Sequence, residues 1–267
     1  TVRVVEDRTF QLSADVTPPF NADFDGDCMY IMVPQSLEAR ADAIEIMHTS
    51  KNLLTENRRA QFGLVQNALL GAYRLSQMTF SVDDCNYCWN REPPEPVMDY
   101  QQVELVYTGL QILSDCLPLQ ANWSRDGVVI QNGQWVSGAA TSKVLGNGSA
   151  FLTWLIGQVS QREYSRFLFQ IRHAVQEMCP PMSVGLSDVA MSLPLVDLSL
   201  DQRVQRMDEY LKGHPMNRMD QMIRSGAKGR VENLVYATEV LGEQLVGGSP
   251  LPLSVEGKRI FPSGILE

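Results

Sequence analysis

The amino-acid sequence predicts an α+β fold, and three observations carry the prediction. Apolar and polar residues alternate along residues 1–35, as in half-buried strands. From Ser36 the apolar spacing changes to the helical period. The last third is dominated by helical patterns, with few strand signals.

Taken in order, Val2, Val4, Phe10 and Leu12 alternate with polar residues, and Pro18-Pro19 ends that run. Met29 to Val33 reads as a further strand, closed by Pro34. Ser36 is a helix N-cap, with Glu38 in the first turn and Leu37, Ala41, Ile44 and Met47 on one face. A second helix is expected from about Gly63 to Gln77, with Val65, Leu69, Ala72 and Tyr73 inward. Between Phe80 and Pro96 the composition shifts to Asp, Cys, Asn and Pro, which predicts a loop and the place of an insertion. Gln102 to Val144 reads as strand and turn. Within it Val128-Val129-Ile130 leads into the hairpin signal Gln131-Asn132-Gly133. Helices are expected over about 149–160 and 162–178, then over Asp201–Lys212, Met216–Ile223 and Glu232–Gly242, with a Gly-Gly-Ser-Pro loop at 247–250.

The chain has 267 residues, of which 44% are hydrophobic and 20% charged. That excludes a disordered tail, a collagen and a disulfide miniprotein, and leaves room for one large or two modest cores. The net charge is −9 and the pI about 4.9, which argues against a protein that grips nucleic acid by its own basic surface. Five cysteines, an odd number, do not make a secreted disulfide framework. Asn122 and Asn147 open glycosylation triplets, but no secretory leader precedes them. The longest uncharged stretch, Val144 to Gln161, is too polar to span a bilayer. The reading is a soluble, intracellular chain. It starts at Thr1 on a strand and stops without a closing element, which reads as an excerpt or a split subunit.

One stretch stands apart: Asn21-Ala22-Asp23-Phe24-Asp25-Gly26-Asp27. Carboxylates at i, i+2 and i+4 of a tight turn repel one another unless a cation neutralises them. Hard oxygen ligands select magnesium or manganese over zinc, and Gly26 lets the backbone bend so that the side chains converge. A calcium loop of the EF-hand type needs Gly at its sixth and Glu at its twelfth position; counted from Asp23 those places hold Cys28 and Pro34. The plain alternative for any such triplet is an acidic surface turn.

The flanks decide between these readings. Pro19-Phe20 before the motif and Val33-Pro34-Gln35-Ser36 after it resemble the catalytic loop of the largest subunit of multi-subunit DNA-directed RNA polymerases. The resemblance continues in order through Arg3-Val4-Val5, Thr9-Phe10-Gln11-Leu12, Asn52-Leu53-Leu54 and Gln66-Asn67-Ala68-Leu69-Leu70-Gly71. It goes on through Tyr107-Thr108-Gly109, Lys143-Val144-Leu145-Gly146 and Ser183 to Asp188. Asn217, Met222, Ser225 to Gly229, Glu243-Gln244 and Gly257-Lys258-Arg259 close it. It is strong at both ends and weak from about 79 to 180. The Gln of Val-Pro-Gln-Ser favours the archaeal, eukaryotic or large-DNA-virus branch. Cys28 and Tyr30 depart from the usual family residues beside the loop.

The resemblance implies that residues 1–36 end an active-site double-psi β-barrel, that 37–188 form a mixed α/β pore domain and that 189–267 form a mostly helical, incomplete funnel domain. It implies that Asp23, Asp25 and Asp27 are the catalytic metal ligands, holding Mg²⁺, and that Asn21 contacts the ribose hydroxyls of the substrate. The implied reaction is nucleotidyl transfer from an NTP to the RNA 3′ end, with a second metal arriving with the NTP. The implied partners are the rest of the subunit, the second-largest subunit, DNA template, RNA product and NTPs, with no membrane. Bridge helix, trigger loop, clamp and the earlier barrel strands lie outside the chain, so it is not expected to polymerise alone. The implied setting is the nucleus or cytoplasm, or a viral factory. The alternatives are a non-catalytic paralogue or assembly fragment that keeps the fold, and an unrelated metal-binding module.

Other features have plainer readings. Cys85 and Cys88 have zinc-knuckle spacing but lack two nearby ligands, so they read as loop cysteines. Arg224 to Arg230 is Gly-rich and basic. It is no P-loop, and reads equally as a phosphate cradle or a tight packed turn. Arg58-Arg59 reads as solvated surface. His48, His173 and His214 are scattered and have no nucleophile to serve. Met216, Met219 and Met222 read as core.

Overall fold

The computed structural model describes residues 3–83, 85–99, 101–102, 104–189, 198–214, 217–238, 245–246 and 249–250. They divide into two units. Residues up to 182 together with 224–228 form the first; 183–223 and 229 onward form the second.

The core of the first unit is built around α6, Gln161–Met178. A capping box starts this helix: Glu163 N donates to Ser160 Oγ at 3.2 Å and Ser160 N donates back to Glu163 Oε2 at 2.9 Å. Its apolar stripe, Tyr164, Phe167, Ile171, Ala174, Val175 and Met178, repeats at helical spacing and is buried. Against it lies α2, Gln66–Leu75, where Gly71 permits the approach: a Cβ there would sit 2.2 Å from Val175 Cγ1. The sheet β1-β3-β2 (Thr79–Ser81, Glu104–Thr108, Val97–Asp99) is antiparallel throughout. It feeds directly into α3, Gly109–Cys116. A second antiparallel sheet, β4-β5-β6 (Trp123–Arg125, Val128–Gln131, Gln134–Ser137), packs on α3. Its β5–β6 turn has Asn132 and Gly133 both at positive φ, 50° and 74°, the two-residue turn that Asn-Gly favours. The short α4, Ser142–Leu145, and α5, Ala150–Ile156, complete the unit. The Tyr164 hydroxyl donates to Phe62 O at 2.6 Å from within this core.

In the second unit α8, Leu200–Lys212, and α10, Val231–Thr238, bury Met207, Leu211, Leu234 and Val235, with Met219 and Ile223 of α9, Arg218–Ser225, packed beside them. α7, Leu186–Val189, ends on the buried Asp188 and the partly buried Val189. Residues 245–246 and 249–250 pair as β7 and β8.

Most expected helices form near their predicted bounds, and Met219 packs in the core as expected; Met216 and residues 239–242 lie outside the described residues. Two of the expectations are corrected. No described residue of 3–36 pairs in a strand, so the strands expected along this arm do not form among its described residues. An isolated strand leaves its backbone N–H and C=O groups unpaired, and its apolar face needs a surface to lie on. Tyr30 is 97% and Met32 90% exposed, which shows that the alternation in this arm is not matched by any facing sheet within the described chain. For the same reason the apolar face of α1, Leu37–Glu45, is bare: Leu37, Ile44 and Met47 are exposed. Finally, α3 replaces an expected strand-and-turn stretch, stabilised by the Thr108–Gln111 capping box.

Candidate metal centre

The arm approaches the aspartates through a run of tight turns. Two 3₁₀ turns, Ala14–Val16 and Pro18–Phe20, follow one another. Asn21 ends the second in the left-handed region at φ 47°, a conformation asparagine tolerates, and its N–H donates to Pro18 O at 3.0 Å. Ala22 N donates to Thr17 O at 3.2 Å, which reverses the chain just before Asp23.

The carboxylates then fold onto their own loop. Asp23 N donates to Asp27 Oδ2 at 3.0 Å and Asp25 N to Asp23 Oδ1 at 3.3 Å. Gly26 carries the reversal at φ 116°, where a side chain would be strained although nothing crowds the position. One oxygen from each of Asp23, Asp25 and Asp27 lies within 4.8 Å of the others, and all three residues are exposed. Asp25 feels the crowding: the hydrogen bond and charge of Asp23, then the charge of Asp27, push its carboxyl above the ordinary range.

This donor set fits a hard divalent cation. An octahedral magnesium shell places neighbouring oxygens about 3 Å apart and opposite ones about 4 Å apart. Modest side-chain rotation from a spread of 4.8 Å reaches that range. Among the described residues it is the one group of three or more His, Cys, Asp or Glu side chains whose ligand atoms converge.

The other sequence candidates are not brought into this cluster. Asn21 precedes the loop, and its side chain makes no hydrogen bond to the three carboxylates. Cys85 is half-buried and Cys88 exposed, both free thiols, and no third or fourth ligand converges on them among the described residues. His48 caps a 3₁₀ turn, His173 pairs with Glu177 at 3.5 Å and His214 stacks on Tyr210. The Arg224–Arg230 segment is a close-packed turn at Gly226, whose added Cβ would lie 2.0 Å from Ser142 Oγ. Its Lys228 also lines a cleft of about 570 Å³ with Lys143 and the Gly146–Ser149 loop.

Sequence reasoning missed one polar network. Asp115, buried at the end of α3, accepts from Asn90 N at 2.6 Å, Asn90 Nδ2 at 2.8 Å and the Tyr87 hydroxyl at 3.1 Å. It stitches the 82–96 stretch into the core. Burial beside it pushes the Cys116 thiol up to about 12, so that cysteine is inert. The partners are more than 20 residues apart in sequence, so only the Tyr87-x-x-Asn90 spacing hints at it.

Comparison with known proteins places the chain. Residues 1–49, which contain the whole aspartate loop, match the family model described as RNA polymerase Rpb1, domain 2. The class this defines is the largest subunit of multi-subunit DNA-directed RNA polymerases. All of the chain aligns at 34% identity with DNA-directed RNA polymerase II subunit RPB1-B of Trypanosoma brucei brucei, covering 19% of that protein, and RPB1-A of the same organism matches equally. For DNA-directed RNA polymerase III subunit RPC1 of Homo sapiens the identity is 27% over 87% of the chain, covering 20% of the relative. The chain is thereby placed with these largest subunits as a segment of one, spanning about a fifth of the length of the curated relatives it matches. Among the described residues no helix is long and apolar enough to cross a membrane.

Proposed function

We propose that the chain is the catalytic-loop, pore and funnel segment of a DNA-directed RNA polymerase largest subunit, acting in Mg²⁺-dependent nucleotidyl transfer from an NTP to the RNA 3′ end. The observation that supports this most is the convergence of three carboxylate oxygens within 4.8 Å, in a loop inside the stretch that matches the family model. Magnesium held there, with a second ion brought by the NTP, supplies two-metal chemistry: activation of the attacking hydroxyl and neutralisation of the leaving pyrophosphate.

The chain's own residues do the holding and aiming. Asp23, Asp25 and Asp27 provide the oxygens, and Gly26 turns the backbone so that they face one point. Asn21, fixed by its turn just upstream, is assigned to the substrate ribose hydroxyls. Lys143 and Lys228, which share a cleft, supply local positive charge for phosphates in an otherwise acidic chain. In this reading residues 1–36 finish the active-site barrel, 37–188 form the pore and 189–267 the funnel. The barrel's remaining strands, the rest of the subunit and the second-largest subunit cover the bare arm. Template DNA and RNA are held chiefly by those partners, in the nucleus or cytoplasm.

The test is the assembled polymerase carrying Asp25→Ala. Subunit assembly is expected to persist, while RNA extension is abolished and Mn²⁺ binding by the complex is lost. Extension at a near-normal rate would refute the assignment and leave a non-catalytic subunit fragment as the reading.

A further inference from the structure

The aspartate loop sits on an arm that is mostly exposed, so something must set its place against the folded body. Residues 14–18 are the arm's longest partly buried run. Val16 packs against the body's core there, and one side chain reaches out from the body to meet it. Arg172, on α6, donates through one terminal nitrogen to both Asp15 Oδ2 and Ser13 Oγ, each at 2.5 Å. The pair is partly shielded, with Asp15 the more buried partner. The other carboxylate oxygen, Asp15 Oδ1, is buried and takes no hydrogen bond. Without Arg172 the Asp15 carboxylate would remain half-buried and uncompensated, a state in which the turn is driven out toward water.

From that clamp to the aspartates the backbone is braced without a gap. Val16 N donates to Ser13 O, and Thr17 donates through both its N–H and hydroxyl to Ala14 O. Phe20 N and Ala22 N both donate to Thr17 O, and Asn21 N donates to Pro18 O. Pro18 and Pro19 have fixed φ, so few soft torsions remain in the connection. The next residue is Asp23.

We propose that Arg172 is a positioning residue for the aspartate loop: by clamping the Ser13–Asp15 turn to α6 it fixes where Asp23, Asp25 and Asp27 stand relative to the folded body. This rests on the catalytic reading of the loop, and the experiment separates the two. In the assembled polymerase, Arg172→Ala lowers the nucleotide-addition rate and Mn²⁺ affinity by about tenfold each, the low end for residues that orient metal ligands. KM for NTP is expected to rise as well, because Asn21, assigned to the substrate ribose, stands on the same braced run. Arg172→Lys, which keeps the charge, retains most of both. Asp15→Ala reproduces the losses while leaving the Arg172 stem on α6, and decides the matter if Arg172→Ala does not assemble. Mn²⁺ is counted by electron paramagnetic resonance, independently of activity. Wild-type rate and Mn²⁺ affinity in Asp15→Ala, in a preparation where Asp25→Ala has lost both, overturn the positioning role alone. Retention of both by Asp25→Ala overturns the catalytic reading and this inference with it.

Discussion

The arm of residues 3–36 and the body of residues 53–182 answer opposite questions. The arm announces its chemistry in five consecutive residues and has no regular strand of its own. The body has a buried core and regular elements, and announces no chemistry. Burial explains the difference. Side chains at the body's centre make most of their contacts within the chain, so local pattern and tertiary packing agree. Most of the arm's large apolar residues face outward, and their pattern was written for a surface that the described chain does not supply. An exposed apolar arm flanking a charged loop is the kind of surface on which other elements pack.

The sharpest way to break this comparison uses one residue type in both regions. Phe151 is fully buried, stacked with Trp154 and edge-on to Trp123, whereas Phe24 is 65% exposed between two aspartates. Phe151→Ala is expected to cost about 3–5 kcal/mol, the range for deleting a buried phenyl ring. Phe24→Ala should move stability by no more than about 0.5 kcal/mol. Thermal unfolding of the first unit, followed by tryptophan fluorescence, compares the two. A similar loss in both would mean that the arm packs as firmly as the body.

A second contrast uses carboxylates. Asp115→Ala strands the Asn90 N–H and the Tyr87 hydroxyl inside the core, at about 1–3 kcal/mol for the unsatisfied groups. Asp25→Asn removes a charge that its neighbours already disfavour, so stability at neutral pH holds or rises. Denaturant titration of both variants reads the difference. A destabilised Asp25→Asn would show that the loop's hydrogen bonds outweigh its repulsion.

How much could be read in advance follows a different division. The Asn132-Gly133 hairpin and the stripe of α6 were legible because each depends on residues within a few positions of one another. So were the three aspartates, whose convergence needs only their own turn. The arm strands were misread because alternation reports a face without reporting what it faces. Helix α3 had a local signal in Thr108-x-x-Gln111, outweighed by the strand-like run of β3 before it. The Asp15–Arg172 clamp joins residues 157 positions apart and had none. Distance in sequence, more than burial, separates what was legible in the site from what was not.

The smallest of the three contrasts probes the clamp's own footing. Ser160 caps α6 and shares a reciprocal pair of hydrogen bonds with Glu163. Ser160→Ala is expected to cost about 1 kcal/mol, the usual value of an N-cap. The hydrogen bonds from Ser160, first from its hydroxyl and then from its backbone N–H, hold the Glu163 carboxyl below its ordinary value of 4.5. A depressed carboxylate contributes stability that is fully present above the unfolded pKa and fades as pH falls through the lower folded value. The gap between wild type and Ser160→Ala should therefore be full near neutrality and narrow only in acid below 4.5. Amide exchange in the first turn of α6, measured at several pH values, reads this directly. Because the cap lies three turns from Arg172, exchange around the clamp should stay unchanged. If it rises with loss of the cap, α6 opens as one unit, and the aspartate loop inherits the stability of the whole helix rather than that of a single ion pair.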